Sequence, residues 1–553
     1  MRPIQAFHVL ESLRHSVSVP LCRDGVGLSP DDTGTVLDVY QQWLALCIDL
    51  GYLHPESLLT DATRLWTDLV QRDVLEVNGA FAECLHLIRM QSIRGFKGLC
   101  KRISNHLYSL IKDDLFTIPL GNVSAAKRLI QLFSYTSRLS LRDIDLTQRL
   151  LADYVAIEER FPSVYPSAIT RQLNRIIKRW FGPFCPDDII PQHGPGGVSG
   201  QGRCTLEVKY KDLTSDACLE YAFGSPEWVT EPIRSSLDRI SQTIFVPKSY
   251  KTFRTISMEP STLQFFQQGV WKVIDHQVSR NGYLKAHIGF HDQTRNAQLA
   301  RRGSVNRNFA TIDLSAASDS VGYSLVKELF KGTWLLRYLV ATRSRKTLLP
   351  DGRILSLKKF APMGSALCFP VETIIFAAIC EHVTRVRHVI GEYSVFGDDI
   401  VVPTQCVEAV MGILGALGFV VNRDKSFYQD TCWFRESCGG EYCDGYDVTP
   451  MRVSRKYAHS DPLERLKKLI SKANEAYTYG FRNLRYFYLR KLRDMGYKAL
   501  FSESELLGDN STNYHLKVRW NKRFQRLECL ASLPVSKYAQ KDLDQQDELL
   551  RYR

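Results

Sequence analysis

The sequence predicts a large protein of mixed helix and strand, of α+β or α/β type, and three observations carry that expectation. Helical periodicity dominates residues 1–180, as in "VLDVYQQWLALCIDLGYL" and "ITRQLNRIIKRWFG". Short apolar strands alternate with helices from about 300 to 450. After 455 the chain reads as helical again and strongly basic, in "LERLKKLISKANEAY", "FRNLRYFYLRKLRDMG" and "KVRWNKRFQR". In the "ITRQLNRIIKRWFG" helix, Arg171, Arg175 and Lys178 share one face, while Leu173, Ile176, Ile177 and Trp180 share another. Residues 185–260 read as irregular, with "PQHGPGGVSGQGR" as the clearest loop. That loop lacks the Gly-Lys-Ser/Thr ending of a phosphate-cradling loop.

The composition is that of an ordinary globular chain, 44% hydrophobic and 24% charged. A length of 553 residues suits several domains or one multi-part enzyme. Lys and Arg number 72 against 59 Asp and Glu, a net charge of +13. Such an excess favours a polyanionic partner, a nucleic acid first and an anionic membrane surface second. A basic protein with no such partner has the same composition. In the C-terminal region, Arg485, Tyr486, Tyr488, Arg490 and Lys491, then Arg519, Trp520 and Arg523, interleave aromatics with cations. Such mixtures stack on bases and track phosphates, or cover a core with basic stems.

The opening "MRPIQAFHVLESLRHS" has scattered charges and no apolar stretch, so no targeting segment is expected. "VETIIFAAIC" and "VMGILGALGFVV" are too short to cross a bilayer. A soluble intracellular protein with reduced thiols is expected, since the 14 cysteines form no paired Cys-x-x-Cys framework. The spacings of Cys432, Cys438 and Cys443 are not those of a usual zinc site.

Three short stretches carry candidate chemistry. In "GEYSVFGDDIVVPT", two strand-like runs flank Gly397, Asp398 and Asp399, which predicts a β-hairpin with both acids at its tip. Asp at a turn is common for local reasons alone. In "FATIDLSAASDSVG", a strand from Phe309 to Ile312 ends in Asp313, and a helix start follows. Two strand-end carboxylates brought together repel unless a cation lies between them. Hard divalent ions such as Mg²⁺ take such oxygens, and a pair of them serves phosphoryl transfer. In "FVPKSYKTFRTISMEP", Lys248, Lys251 and Arg254 recur every third residue on a segment read as extended, where they could grip a triphosphate or form a solvated surface.

In their order along the chain, "VPKSYKTFRTISMEP", "TIDLSAASDS", "PMGSALCFPVET" and "VFGDDIVV" resemble the RNA-directed RNA polymerases of positive-strand RNA viruses. "FRESCGGEY" followed by "DVTP" resembles specifically the replicase catalytic (beta) subunit of the small RNA bacteriophages, the leviviruses. The resemblance covers about residues 190–455. It implies an α+β right-hand fold, with a palm of antiparallel sheet packed on helices, fingers and a thumb. Residues 1–300 would be the N-terminal region and fingers, 301–330 palm, 331–360 a fingers insertion, 361–455 palm, and 456–553 thumb and basic C-terminal helices.

The resemblance also implies roles. Asp313 and Asp398 would be the main ligands of two Mg²⁺ ions, or of Mn²⁺ in their place, with Asp399 assisting. Asp319 and Ser365 would lie near the ribose of the incoming nucleotide, although several phage replicases carry Asn where Ser365 stands. Gly364 would allow a close backbone approach to template or substrate. Lys248, Lys251 and Arg254 would bind the nucleoside triphosphate, and Lys425 in "LGFVVNRDKSF" would be the general acid for pyrophosphate departure. Phe396 stands where many relatives have Tyr. The implied partners are template and product RNA, NTPs, host elongation factors Tu and Ts and, in some relatives, a ribosomal protein, in the cytoplasm of an infected bacterium and without a membrane. The rival readings are a reverse transcriptase-like polymerase with the same metal logic and an RNA-binding protein without catalysis.

Overall fold

The structure is a computed structural model that describes residues 3–14, 21–22, 26–141, 146–202, 204–211, 213–224, 239–249, 252–389, 392–454, 462–497 and 518–529. The chain divides into two compact units: Met1–Val77 with Ile103–Leu110 and Met451–Arg553, and Asn78–Arg102 with Ile111–Pro450.

In the first unit, the helix Arg482–Asp494 packs on Pro30–Asp49. Its first turn lacks a capping side chain of its own. The Asp49 carboxylate fills that role from a distant part of the sequence, accepting the N–H groups of Asn483 and Leu484, both at 2.9 Å. Tyr488 is fully buried and donates to Gln42 Oε1 at 3.1 Å, Lys491 pairs with Asp38 at 3.0 Å, and the Arg485 guanidinium covers the Tyr477 ring. In this stretch the basic stems and aromatic rings cover a core. "KVRWNKRFQR" departs from the helical expectation and forms a β-hairpin, Val518–Asn521 against Arg526–Cys529. The reason is turn chemistry: Asn521 Oδ1 accepts the N–H groups of Arg523 and Phe524 and closes the chain on itself.

The second unit holds most of the sheet structure. The region read as irregular contains two short helices, Leu206–Lys211 and Ala217–Phe223, and a strand β1 (Ile240–Pro247). β1 pairs with β2 (Phe253–Met258), so the basic segment is a hairpin and not one extended run. Helices α1 (Ser261–Arg280) and α2 (Thr294–Asn306) follow, then β3 (Phe309–Ile312) and the two-residue β4 (Leu314–Ser315). β5 (Lys346–Leu348) and β6 (Ile354–Ser356) join the first hairpin in a sheet of order β2-β1-β5-β6. Helix α3 (Cys368–Val386) contains the apolar run "VETIIFAAIC" and is buried along almost its whole length, as a core helix.

β7 (Ser394–Phe396) and β8 (Asp399–Pro403) form the expected hairpin, and β8 pairs antiparallel with β3 to give a central sheet of order β3-β8-β7. Helix α4 (Val407–Ala416) and β9 (Val420–Val421) lead to β10 (Phe434–Ser437), β11 (Gly440–Cys443) and β12 (Tyr446–Asp447). The core lies between this sheet and α1, α3, α4 and the Ser167–Phe181 helix. In that last helix Leu173, Ile176, Ile177 and Trp180 are buried and Arg171, Arg175 and Lys178 exposed, as expected.

The described cysteines are free thiols, and among the described residues no group of three or more His, Cys, Asp and Glu side chains forms a metal cage. No described helix is long and apolar enough to cross a membrane.

Candidate active site

β3 is fully buried along its length and ends at Asp313. Its antiparallel register with β8, Ile312 opposite Ile400, puts Asp313 and Asp399 at the same end of the sheet. Asp398 sits beside them in the hairpin turn, because Phe396 pairs with Asp399 and leaves only Gly397 and Asp398 to close it. Gly397 has φ +60°, and a Cβ there would lie 2.6 Å from the Phe369 ring. Its N–H donates to Thr373 Oγ1 at 3.1 Å, which ties the turn to α3. Phe396 meets Phe369 edge-on, with ring centroids 5.2 Å apart.

Neighbouring groups orient the acids. Asp313 Oδ2 accepts from Asn422 Nδ2 at 2.9 Å, and its N–H donates to Ser426 Oγ at 3.1 Å. Asp399 Oδ1 accepts the Cys438 N–H at 3.0 Å, and its carbonyl accepts from Asn296 Nδ2 at 2.9 Å. Burial pushes the Asp313 carboxyl up to about 6; Lys425 opposes this, while Asp398, Glu436 and Asp399 add to it. Asp399 is also pushed up to about 6, by burial first, with the Cys438 N–H opposing and Asp398 and Glu436 adding to the rise. Burial and like charge together raise both carboxyls, with Lys425 opposing at Asp313, so further positive charge at this edge is favourable.

That donor set fits a hard divalent cation. Mg²⁺ binds through one or two carboxylates and completes its shell with water and phosphate, so an all-protein cage is not required. Asp313 and Asp398, with Asp399, are the residues able to hold it.

Cations approach the same edge. Lys248, half-buried where β1 ends, is held below its ordinary value by burial and by the charges of Lys425 and Arg254, with Asp313 and Asp398 pulling the other way. Arg254 lies exposed on β2, and Lys425 lies exposed on the short turn Arg423–Lys425 after β9. Lys251 lies outside the described residues. Asp319 follows β4 in the turn Ser318–Ser320, where its Oδ1 meets the Lys359 ammonium at 3.0 Å. Ser365 is buried, and its Oγ accepts the Leu367 N–H at 3.3 Å at the start of α3. Gly364 has φ +123°, and a Cβ there would lie 2.2 Å from the Ser257 carbonyl oxygen. Gly364→Ala is therefore expected to cost more than about 1 kcal/mol, read as a fall in melting temperature.

Sequence reasoning passed over several residues of this edge. Asn422 and Ser426 flank Lys425 in the quoted stretch, yet nothing local marks them as partners of Asp313. Glu372 is buried on α3, with its Oε2 unpartnered among the described residues. Burial pushes its carboxyl up to about 8; Ser318 opposes the shift, and Asp398 and Asp319 add to it. A Glu three residues after Phe369 in an otherwise apolar helix was the available signal.

Among solved structures, a chain solved as "RdRp complex" superposes with a TM-score of 0.51 at 12% identity, covering 82% of this chain and 48% of that one. The fold is thus α+β, of the right-hand polymerase class. A family model described as RNA replicase, beta-chain, matches residues 200–483, more than half of the sequence, and the chain belongs to this family. The RNA-directed RNA polymerase subunit beta of Enterobacteria phage SP is 38% identical over 241 residues, 43% of this chain and 39% of the relative. The subunit of the same name from Escherichia virus Qbeta is 36% identical over 267 residues, 47% of this chain and 44% of the relative. The matched region spans less than half of either relative's length.

Proposed function

We propose that this chain is the catalytic beta subunit of an RNA phage replicase and synthesises RNA on a single-stranded RNA template from NTPs. The observation that carries the reading is the convergence of Asp313, Asp398 and Asp399 with Lys248, Arg254 and Lys425 at one sheet edge, in a chain of the RNA replicase beta-chain family.

In the reaction the product 3′-hydroxyl gives its proton to solvent and its oxygen bonds the α-phosphorus as the α–β phosphoanhydride breaks, and pyrophosphate leaves. Asp313 and Asp398, with Asp399, would hold two Mg²⁺ ions, or Mn²⁺, which supply activation of the 3′-hydroxyl and stabilise charge on the leaving group. Lys248, Lys251 and Arg254 bind the triphosphate. Burial and like charge already disfavour a lone ammonium at Lys248, so a polyanion there relieves a standing cost. Lys425, exposed and felt electrostatically by Asp313, donates the proton that the leaving pyrophosphate oxygen takes up. Asp319 and Ser365 face the ribose, where the 2′-hydroxyl separates RNA precursors from DNA precursors. Gly364 keeps the backbone close to substrate.

Under this reading residues 301–330 and 361–455 are palm, 331–360 a fingers insertion, 1–300 the N-terminal region and fingers, and 456–553 thumb. The relatives are named as subunits. We therefore place the chain in an assembly in the infected bacterial cytoplasm, with elongation factors Tu and Ts, and a ribosomal protein, as first candidates. The test is incorporation by the purified assembly on a single-stranded RNA template with Mg²⁺. Efficient use of NTPs over dNTPs is expected. Efficient use of dNTPs points instead to a reverse transcriptase, and no synthesis with intact RNA binding points to a non-catalytic binder.

A further inference from the structure

Lys359 is a buried cation beside the site, with no exposed side-chain surface. Its Nζ lies 3.0 Å from Asp319 Oδ1 and 3.4 Å from Glu158 Oε1. It also stands over the Tyr154 ring, 3.7 Å from the centroid. A buried ammonium is costly unless fully paired, and one carboxylate would pair it. Here there are two, with different surroundings. Glu158 is buried, and its Oε2 accepts the N–H groups of Lys358 and Lys359 at 2.5 and 3.3 Å, so it is bound to the segment that carries Lys359. Asp319 is partly open to solvent, and its Oδ2 makes no hydrogen bond among the described residues.

The same hub reaches the loop before α3. The Tyr154 hydroxyl lies 3.5 Å from Ser257 Oγ. The Ser257 N–H donates to the Met363 carbonyl at 2.8 Å, and the Ser257 carbonyl is the atom that leaves no room for a Cβ at Gly364. Asp319 and the loop carrying Ser365 are thus referred to one anchored cation by two routes.

We propose that Lys359 is a positioning residue for sugar discrimination: Glu158 and Tyr154 fix its ammonium, which holds Asp319 Oδ1 and leaves Oδ2 to accept a hydrogen bond from the 2′-hydroxyl of the incoming ribonucleotide. This rests on the reading of Asp319 as a ribose contact. A carboxylate with one oxygen pinned presents the other in a single orientation, so the hydroxyl pays no ordering cost at Asp319. A deoxynucleotide leaves that oxygen without its partner. Lys359 itself touches no substrate.

The experiment compares kcat/KM for single additions of an NTP and the matching 2′-dNTP in wild type, D319A, K359M and the double variant D319A/K359M. K359M is expected to lower the NTP-to-dNTP ratio at least tenfold, chiefly through a higher KM for the ribonucleotide. D319A should lower the ratio as far, and the double variant no further. If K359M does not fold, E158Q/K359M, which removes the second buried charge as well, gives the same reading. A ratio lost in D319A but kept in the folded Lys359 variant overturns this proposal alone, as do losses that multiply in the double variant. A ratio kept in D319A overturns the reading of Asp319 together with the proposal.

Discussion

Asp398→Asn is expected to lower ribonucleotide incorporation by a factor on the order of a thousand or more, equivalent to about 4 kcal/mol of transition-state stabilisation. Binding of template RNA, which relies on cationic surface, should change little. Asp313→Asn should behave alike. A general loss of folded protein would mimic part of this result, but the titration of the site separates the two. Asp313 and Asp399 have folded-state values near 6, above the 3.8 of a free Asp. Between these values the folded chain binds more protons than the unfolded chain, so stability falls as pH rises. The stabilising contribution of the protonated carboxyls is fully present below about 4 and is lost as pH rises through about 6. A shift of this size corresponds to roughly 2–3 kcal/mol for either group. At pH 7–8 and without divalent ions, Asp313→Asn and Asp399→Asn should therefore melt at or above the wild-type temperature while losing activity. A structural lesion would lower both, and a thermal melt across pH 4–8 beside the incorporation assay distinguishes them.

The second large effect is expected at Arg435. Its side chain is fully buried in β10. Nε donates to the Phe309 carbonyl at 2.7 Å, and one Nη donates to the carbonyls of Cys432 and Phe434, both at 2.8 Å. Three main-chain acceptors, one of them at the start of β3, depend on this guanidinium. Arg435→Met fills similar space but strips those carbonyls of their donor. Each bond from a charged donor contributes about 1.5–3 kcal/mol, so a loss of several kcal/mol is expected. That is a large share of the roughly 5–15 kcal/mol that holds a protein folded. Chemical denaturation should show a sharply lowered midpoint, with synthesis falling in proportion to folded protein and with no change in NTP selectivity.

Local chemistry made the central sheet legible from sequence. Strand-like runs around Gly397 to Asp399 and a strand ending in Asp313 are readable from alternation and turn residues, and both are present. The packed face of the Ser167–Phe181 helix was readable from its periodicity. What escaped was set by distant partners. Asp49 caps a helix more than 400 residues away in sequence, and the Lys359 hub joins Glu158 to Asp319 across some 200 and 40 residues. "KVRWNKRFQR" was misread because the side chain of one Asn, and not the apolar period, decides its turn. Ser365 follows Gly364 in the loop before α3, and its hydroxyl is engaged by the Leu367 N–H, a local bond that a motif does not reveal.

The most direct test is to count Mn²⁺ by electron paramagnetic resonance in the assembly with template RNA and NTP, for the wild type and for the variant D313N/D398N. Bound Mn²⁺ in the wild type that is largely lost in the variant is the expected result. The same bound Mn²⁺ in both would contradict the assignment of these acids as the metal-holding edge of the sheet.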